Sequence, residues 1–250
     1  MRDIFAKDEN LLCGGLLGKG SFGSVYKANY KRKKMALKKF SGEIEIPDSV
    51  SLKLIEMCKD FDKFDEKLIT PKYVFDDKKV EKYLIDLVKG KNFTKLYDLS
   101  VDEKIKILRK AKECVCSMNN KGIIHGDLYL GNFMYDNKNN DVFIIDFDSC
   151  GYGDYELEVD LINELSQAFI RYNGINSGVD RFMFNLITVA FLNNKFMCNA
   201  RIDILRGDYG ILDFDECRKM CDLFAKFYRC DDFLIDVIDE KKVRERLDMK

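Results

Sequence analysis

The stretch His125-Gly126-Asp127-Leu128-Tyr129-Leu130-Gly131-Asn132, followed by Asp146-Phe147-Asp148, constrains the fold of this chain more than any other feature. Short apolar segments flank the polar loop, Gly122-Ile123-Ile124 before it and Val142-Phe143-Ile144-Ile145 after it. Both read as buried strands that lead into charged residues. Asp127, Asn132 and Asp146 then offer a carboxylate, an amide oxygen and a second carboxylate on two successive loops. Hard oxygen donors of this kind suit a small divalent cation, and a carboxylate beside them can approach a hydroxyl proton. The bland alternative, two polar loops that merely follow buried strands, needs residue type, order and spacing to coincide independently.

A second constraint lies upstream. Gly18-Lys19-Gly20-Ser21-Phe22-Gly23-Ser24-Val25 fits Gly-x-Gly-x-x-Gly-x-Val at each fixed position. Dinucleotide-binding folds share these glycines but open a helix after them, whereas Val25-Tyr26-Lys27-Ala28 continues as strand. A strand-turn-strand of this kind brings backbone N–H groups close to phosphate oxygens. Lys38, in Met35-Ala36-Leu37-Lys38, falls on the following strand, where an ammonium can neutralise phosphates and Ala36 leaves room for a flat base. Glu56 lies on a helix expected from Asp48 or Ser49 to about Phe61 and is the expected ion-pair partner of Lys38, with Glu66 as a rival.

The first ~90 residues read as strands with one helix, and the remainder as mostly helix. Lys31-Arg32-Lys33-Lys34 is expected to be a solvated hairpin turn. Segments 72–75 and 82–88 look like a hairpin that completes a small sheet. Ser100 and Glu103 form a capping-box pattern ahead of Val101, Ile105, Leu108, Ala111, Val115 and Met118 at helical spacing, and Gly122 ends that helix. Further helices are expected around 156–172, 178–193, 214–230 and 232–247.

Composition limits the remaining classes. Of the 250 residues, 46% are apolar and 34% charged, which favours a globular fold over disorder. A formal net charge of −1 indicates no nucleic-acid partner, and the longest apolar stretch, Phe182 to Leu192, falls short of the ~20 residues of a membrane span. Nine cysteines without a secretory signal at the N-terminus lead to the expectation of reduced thiols and a cytoplasmic location. Cys114-x-Cys116 and Cys217-x-x-x-Cys221 lack a second pair or a nearby histidine at zinc spacing, so core packing is expected of them.

With these motifs in order, the sequence resembles the protein-kinase-like superfamily from residue 16 to about 165. The resemblance implies an α+β, bilobal fold comprising residues 1–250 as one domain: an N-terminal lobe over about 1–85 with an antiparallel sheet and one helix, a hinge at about 86–90, and a mainly helical lobe over about 91–250. It implies ATP and Mg2+ as cofactors. Leu17, Gly18, Gly20, Gly23, Val25, Ala36, Lys38, Glu56, Asp86, Val88 and Met134 would form the nucleotide site, with Ile85 at its back. Asp127 and Lys38 would carry catalysis, and Asn132 and Asp146 would hold the metal. The only histidine, His125, would pack under the loop, and Asp160 would brace that loop from beneath.

Three departures stand out. Gly126 replaces the arginine of phosphorylation-regulated kinases, Asp146-Phe147-Asp148 replaces Asp-Phe-Gly, and the segment up to Asp160 is too short for a peptide-docking platform. Asp148 is a further candidate for the metal site. The His-Gly-Asp-Leu loop is similar to those of RIO-type, aminoglycoside, choline and lipopolysaccharide-core sugar kinases, while the glycine turn is close to that of serine/threonine kinases. The expected function is phosphoryl transfer from ATP to a hydroxyl acceptor, with a protein Ser/Thr preferred. A small-molecule or sugar kinase is the alternative, and a pseudokinase scaffold is a third. Asp148, Asp154 and Glu156 are weak pointers to a cationic acceptor.

Overall fold

Side-chain alternation along three neighbouring strands organises the N-terminal part of the chain, of which the computed structural model describes residues 3–42 and 45–248. The outermost ends of the expected 1–250 domain and the connection at 43–44 lie outside the described residues. Strands β1 (Leu11–Lys19), β2 (Gly23–Tyr30) and β3 (Lys33–Phe40) run antiparallel. The basic run forms the β2–β3 turn, in which Lys31 and Arg32 adopt left-handed φ of 48° and 65°. Two positive φ values match the twist of a tight hairpin, although each costs a side-chain-bearing residue roughly 1 kcal/mol.

Alternation puts Ala36 and Lys38 on one face of β3 and Leu37 on the other. The Leu37 face packs with Ala28, Tyr30, Met35 and Leu84. The opposite face meets helix α1 (Asp48–Lys59), whose Val50, Leu54 and Cys58 join Phe40 and Tyr83 in a second core. Strands β4 (Tyr73–Val74) and β5 (Lys82–Asp86) complete the sheet in the order β1-β2-β3-β5-β4. Residues 87–90 then lead to a short strand, β6 (Lys91–Asn92).

From Ser100 onward helices dominate. α2 (Val101–Asn120) starts at the expected capping box: the Glu103 N–H donates to Ser100 Oγ (3.3 Å) and the Ser100 N–H to Glu103 Oε2 (2.9 Å). β7 (Phe133–Asp136) and β8 (Asp141–Ile144) follow as a hairpin in which Phe133 faces Ile144. The Ile145 N–H donates to the Asn132 carbonyl (3.0 Å), and this bond holds the two loops with the chemical residues side by side. Helices α3 (Glu164–Asn173), α4 (Gly178–Leu192), α5 (Met197–Leu205), α6 (Asp215–Phe227) and α7 (Glu240–Asp248) complete the lobe. α4 is buried on nearly every side and forms its centre. Phe191 of α4 stacks on Phe93, which stacks on Phe133 at the start of β7, with ring centroids 4.9 and 5.2 Å apart. Burial of each such ring contributes about 1.5–3 kcal/mol, so the loops rest on a rigid base.

The sheet with one helix, followed by the helical lobe, is the bilobal α+β architecture that the sequence implied. Two boundaries differ from expectation. α3 begins at Glu164 rather than near 156, because residues 149–163 spend their backbone groups on loop contacts such as Glu158 N–H to Ser149 O (3.0 Å). The expected helix at 232–247 is a short turn followed by α7, and α5 was not expected. Cys217 and Cys221 lie buried one turn apart in α6, and among the described residues, which include all nine cysteines, there is no disulfide. Among the described residues, no helix is long and apolar enough to cross a membrane.

Candidate active site

The glycine segment closes as a tight turn in which the Gly20 N–H donates to the Gly23 carbonyl (2.8 Å). A Cβ on Gly23 would lie 2.2 Å from the Lys39 carbonyl oxygen, so the approach of this turn to β3 requires glycine. The antiparallel register sets Lys38 opposite Val25 on one side and Tyr83 on the other. The Lys38 ammonium is buried and ion-paired with both Asp146 and Asp148. Burial disfavours its charge, but the two carboxylates outweigh that effect and hold its pKa above the ordinary lysine range. Burial likewise works against the Asp146 carboxylate, and Lys38 more than compensates, so its pKa is lowered.

Asp146 has a left-handed φ of 73°. Aspartate tolerates this region better than most residues, at a cost of order 1 kcal/mol, and the conformation carries its carboxylate to Lys38. Its neighbour loop is built around the buried His125. The Asp127 N–H donates to His125 Nδ1 (3.3 Å), which leaves the proton on Nε2 to donate to the Ile145 carbonyl (3.0 Å). The imidazole therefore joins the two loops and does not face the cleft. Asn132 Nδ2 donates to the Asp127 carbonyl (2.9 Å), which leaves its Oδ1 as the free acceptor of that amide.

The Asp127 side chain is held through one oxygen. Asn163 donates to Asp127 Oδ1 from both its backbone N–H (3.1 Å) and its Nδ2 (2.7 Å). Neither bond uses Oδ2. Gly20, Gly23, Val25, Lys38, Asp127 and Asp146 line one cavity of about 490 Å3, a volume suited to a small ligand.

A comparison with known sequences decides the family, since the protein kinase domain model matches residues 13–220. The chain belongs to the protein kinase domain family. Over 139 residues it is 33% identical to a Dictyostelium discoideum protein described as a probable serine/threonine-protein kinase, covering 49% of this chain and 18% of that one. Over 145 residues it is 29% identical to the human tyrosine-protein kinase Fer, covering 56% of this chain and 17% of that one. The chain thus spans under a fifth of the length of the curated relatives it matches.

Within this kinase domain, several expected residues lie elsewhere. Glu56 does not reach Lys38: it points outward from α1 and pairs with Lys59 at 3.0 Å, because the inward face of the helix carries Val50, Lys53, Leu54 and Met57. Glu66 is exposed beyond the end of α1. Asp160 does not lie beneath the catalytic loop but lines the cavity mouth. The bracing aspartate is Asp180, fully buried in the first turn of α4, which accepts the N–H groups of His125 (3.0 Å) and Gly126 (2.8 Å) and Asn119 Nδ2 (2.8 Å).

Of the residues expected in the nucleotide site, Gly20, Gly23, Val25 and Lys38 line the cavity and the others lie beyond its lining. Leu17 and Gly18 are on exposed β1, Ala36 is buried opposite Ile85, Met134 is half-buried on β7, and Val88 is half-buried in the linker. The Asp86 carboxylate is taken up by Lys72 and by Lys33 (3.1 Å). Asp154 and Glu156 are exposed and do not line the cavity. Gly126 has φ 72°, and a Cβ there would lie 2.3 Å from the Leu157 side chain, so the space an arginine would need is already filled.

Sequence reading missed Asn163, Asp180 and Tyr83. An N-cap asparagine ahead of Glu164 was the available signal for the first, since Asn163 Oδ1 accepts the Ser166 N–H (3.0 Å). Burial raises the Asp127 pKa, while the Asn163 hydrogen bonds and nearby His125 lower it. Asn163→Ala removes the Nδ2 donor, leaves the backbone N–H in place, and raises that pKa further. Since the ionised carboxylate is the form that accepts a proton, the acid limb of kcat against pH is expected to move to higher pH. An unmoved limb would contradict the role of Asn163.

Proposed function

We propose that this kinase domain binds ATP with Mg2+ and transfers the γ-phosphoryl group to a hydroxyl, preferentially a serine or threonine of a protein. The observation that carries this reading is the convergence of Lys38, Asp127 and Asp146 on one cavity beneath the glycine turn. Asn132 and Asp146 would hold the metal. One amide oxygen and one carboxylate suit magnesium, which also takes phosphate oxygens and waters. When bound, Mg2+ neutralises charge on the phosphates.

The protein residues divide the work. Backbone N–H groups of residues 21–23 and the Lys38 ammonium would face the phosphates and stabilise negative charge. Asp127 orients the acceptor hydroxyl and takes its proton through Oδ2, while Asn163 and the Asp180-braced backbone keep the carboxylate in place. Proximity and charge placement, rather than a covalent intermediate, supply the acceleration.

A small-molecule acceptor is the second reading. It is favoured by residues 149–163, which fold back through the paired Ile124 and Gly151 and the Tyr152–Tyr155 turn, and leave little extended surface for a peptide. The relatives differ in the acceptor their names state, a serine or threonine in one and a tyrosine in the other. To separate the readings, γ-labelled ATP is added to a cell extract that is then split into protein, lipid and small-molecule fractions, with Asp127→Asn as the blank. Asp127-dependent phosphoserine or phosphothreonine supports the first reading. Label confined to small molecules or lipids overturns it in favour of the second, and no Asp127-dependent label in any fraction overturns both.

A further inference from the structure

We propose that Asp148, not an acidic residue of α1, is the positioning residue that orients Lys38, so that the lysine and the metal-binding aspartate are set by a single turn of the C-terminal lobe. The inference rests on the reading of Lys38 and Asp146 as nucleotide-site residues. α1 cannot supply the partner. Its one nearby acid, Glu56, is directed away and bound to Lys59. The inward face instead carries Lys53, fully buried and with no hydrogen-bond partner for its Nζ, so the helix presents the same sign of charge as Lys38.

Asp148 fills that role from two residues beyond Asp146. It is buried, with 5% of its surface exposed, and its carboxylate is committed on both sides. Tyr83 Oη donates to Oδ1, and Oδ2 receives the Lys38 ammonium and no other donor. Tyr83 is the cross-strand neighbour of Lys38, so the hydroxyl, the carboxylate and the ammonium form a closed triad at the back of the cleft. Burial raises the Asp148 pKa and nearby Asp146 adds to that, while Lys38 and the Tyr83 hydroxyl favour the ionised form.

With both oxygens engaged, Asp148 is poorly disposed to serve as a third metal ligand. It is also too deep to meet an acceptor. The consequence is a site whose lysine is oriented without any contribution from the position of α1. Incoming phosphates compete with Asp146 for Lys38, while Asp148 retains it.

The test compares steady-state kinetics of phosphoryl transfer for Asp148→Asn, Lys38→Met, their double variant, Tyr83→Phe and Glu56→Gln. At saturating magnesium, Asp148→Asn is expected to raise KM for ATP and lower kcat/KM by roughly tenfold to a hundredfold, as loss of a buried charged contact does. In the Lys38→Met background the same change should cost less than about twofold, because the interaction it removes is already gone. Tyr83→Phe, which keeps the ion pair, should show a smaller loss of the same kind, and it carries the test if Asp148→Asn does not fold. Glu56→Gln should match the unaltered protein.

An Asp148→Asn effect that adds fully to Lys38→Met overturns the proposal. So does its complete rescue by higher magnesium, which would make Asp148 a metal ligand, or a Glu56→Gln loss equal to that of Lys38→Met. If Lys38→Met itself transfers phosphate normally, the underlying nucleotide-site reading falls together with the proposal. If Lys38→Met is inactive while Asp148→Asn and Tyr83→Phe are normal, the proposal alone fails.

Discussion

Asp127→Asn is expected to lower kcat by about 10²- to 10⁴-fold while ATP affinity stays within about threefold, the signature of a group that acts on the acceptor proton. The substitution keeps the size of the side chain, and its amide oxygen can still accept from Asn163 Nδ2. The backbone carbonyl that receives Asn132 Nδ2 is untouched, so the metal-side geometry is preserved. What disappears is the negative oxygen left over once Oδ1 is engaged. On the proposed reading ATP affinity would rest on the glycine turn and Lys38, which the substitution leaves unaltered. Equilibrium binding beside single-turnover transfer checks the split. Normal turnover by this variant would remove Asp127 from the reaction.

The second large effect is structural. Asp180→Ala should destabilise the fold by about 2–4 kcal/mol, read as a lower urea midpoint, because two buried N–H groups and the half-buried Asn119 amide lose their acceptor at once. The Asp180 pKa is raised by burial, yet the N–H groups of His125 and Gly126 and the Asn119 amide hold the carboxylate where a hydrophobic side chain would leave them unpaired. The same loss frees the backbone at 125–126, directly before Asp127, so kcat should fall as well, and Asp180→Asn, which retains one acceptor oxygen, should be milder in both respects. An unchanged urea midpoint for Asp180→Ala would show that these hydrogen bonds contribute nothing net.

The contrast between Asp180 and Asp127 shows what a sequence can disclose. That Asp127, Asp146 and Lys38 would meet beside the glycine turn was legible because each sits in a local pattern, a tight turn or a strand end, of recognisable spacing. Asp180 lies more than fifty residues from the backbone it holds, and its partners are N–H groups, which every residue possesses. Its one local sign was an acid inside an apolar helix, since a buried carboxylate needs donors. Asp160 looks like the bracing aspartate only through its setting in Glu158-Val159-Asp160-Leu161. Glu56 failed for a different reason: its distance from Lys38 was suitable, but the phase of α1, fixed by the apolar Val50, Leu54 and Met57, turns it outward. Helical phase was available in the sequence, and it would have placed Lys53 inward. The late start of α3 was less accessible, because it depends on the bond from the Asn163 backbone to Asp127 across the cleft.

The central claim is that the Lys38 and Asp146 cleft is a site for ATP with magnesium. Its most direct test is titration calorimetry of ATP into the unaltered protein and into Asp146→Asn, each with and without Mg2+. Asparagine tolerates the left-handed φ of position 146, so the variant removes charge and spares the backbone. The account predicts that magnesium tightens ATP binding to the unaltered protein and has little effect on the variant. An identical magnesium response in both, or no ATP binding at all, would contradict it.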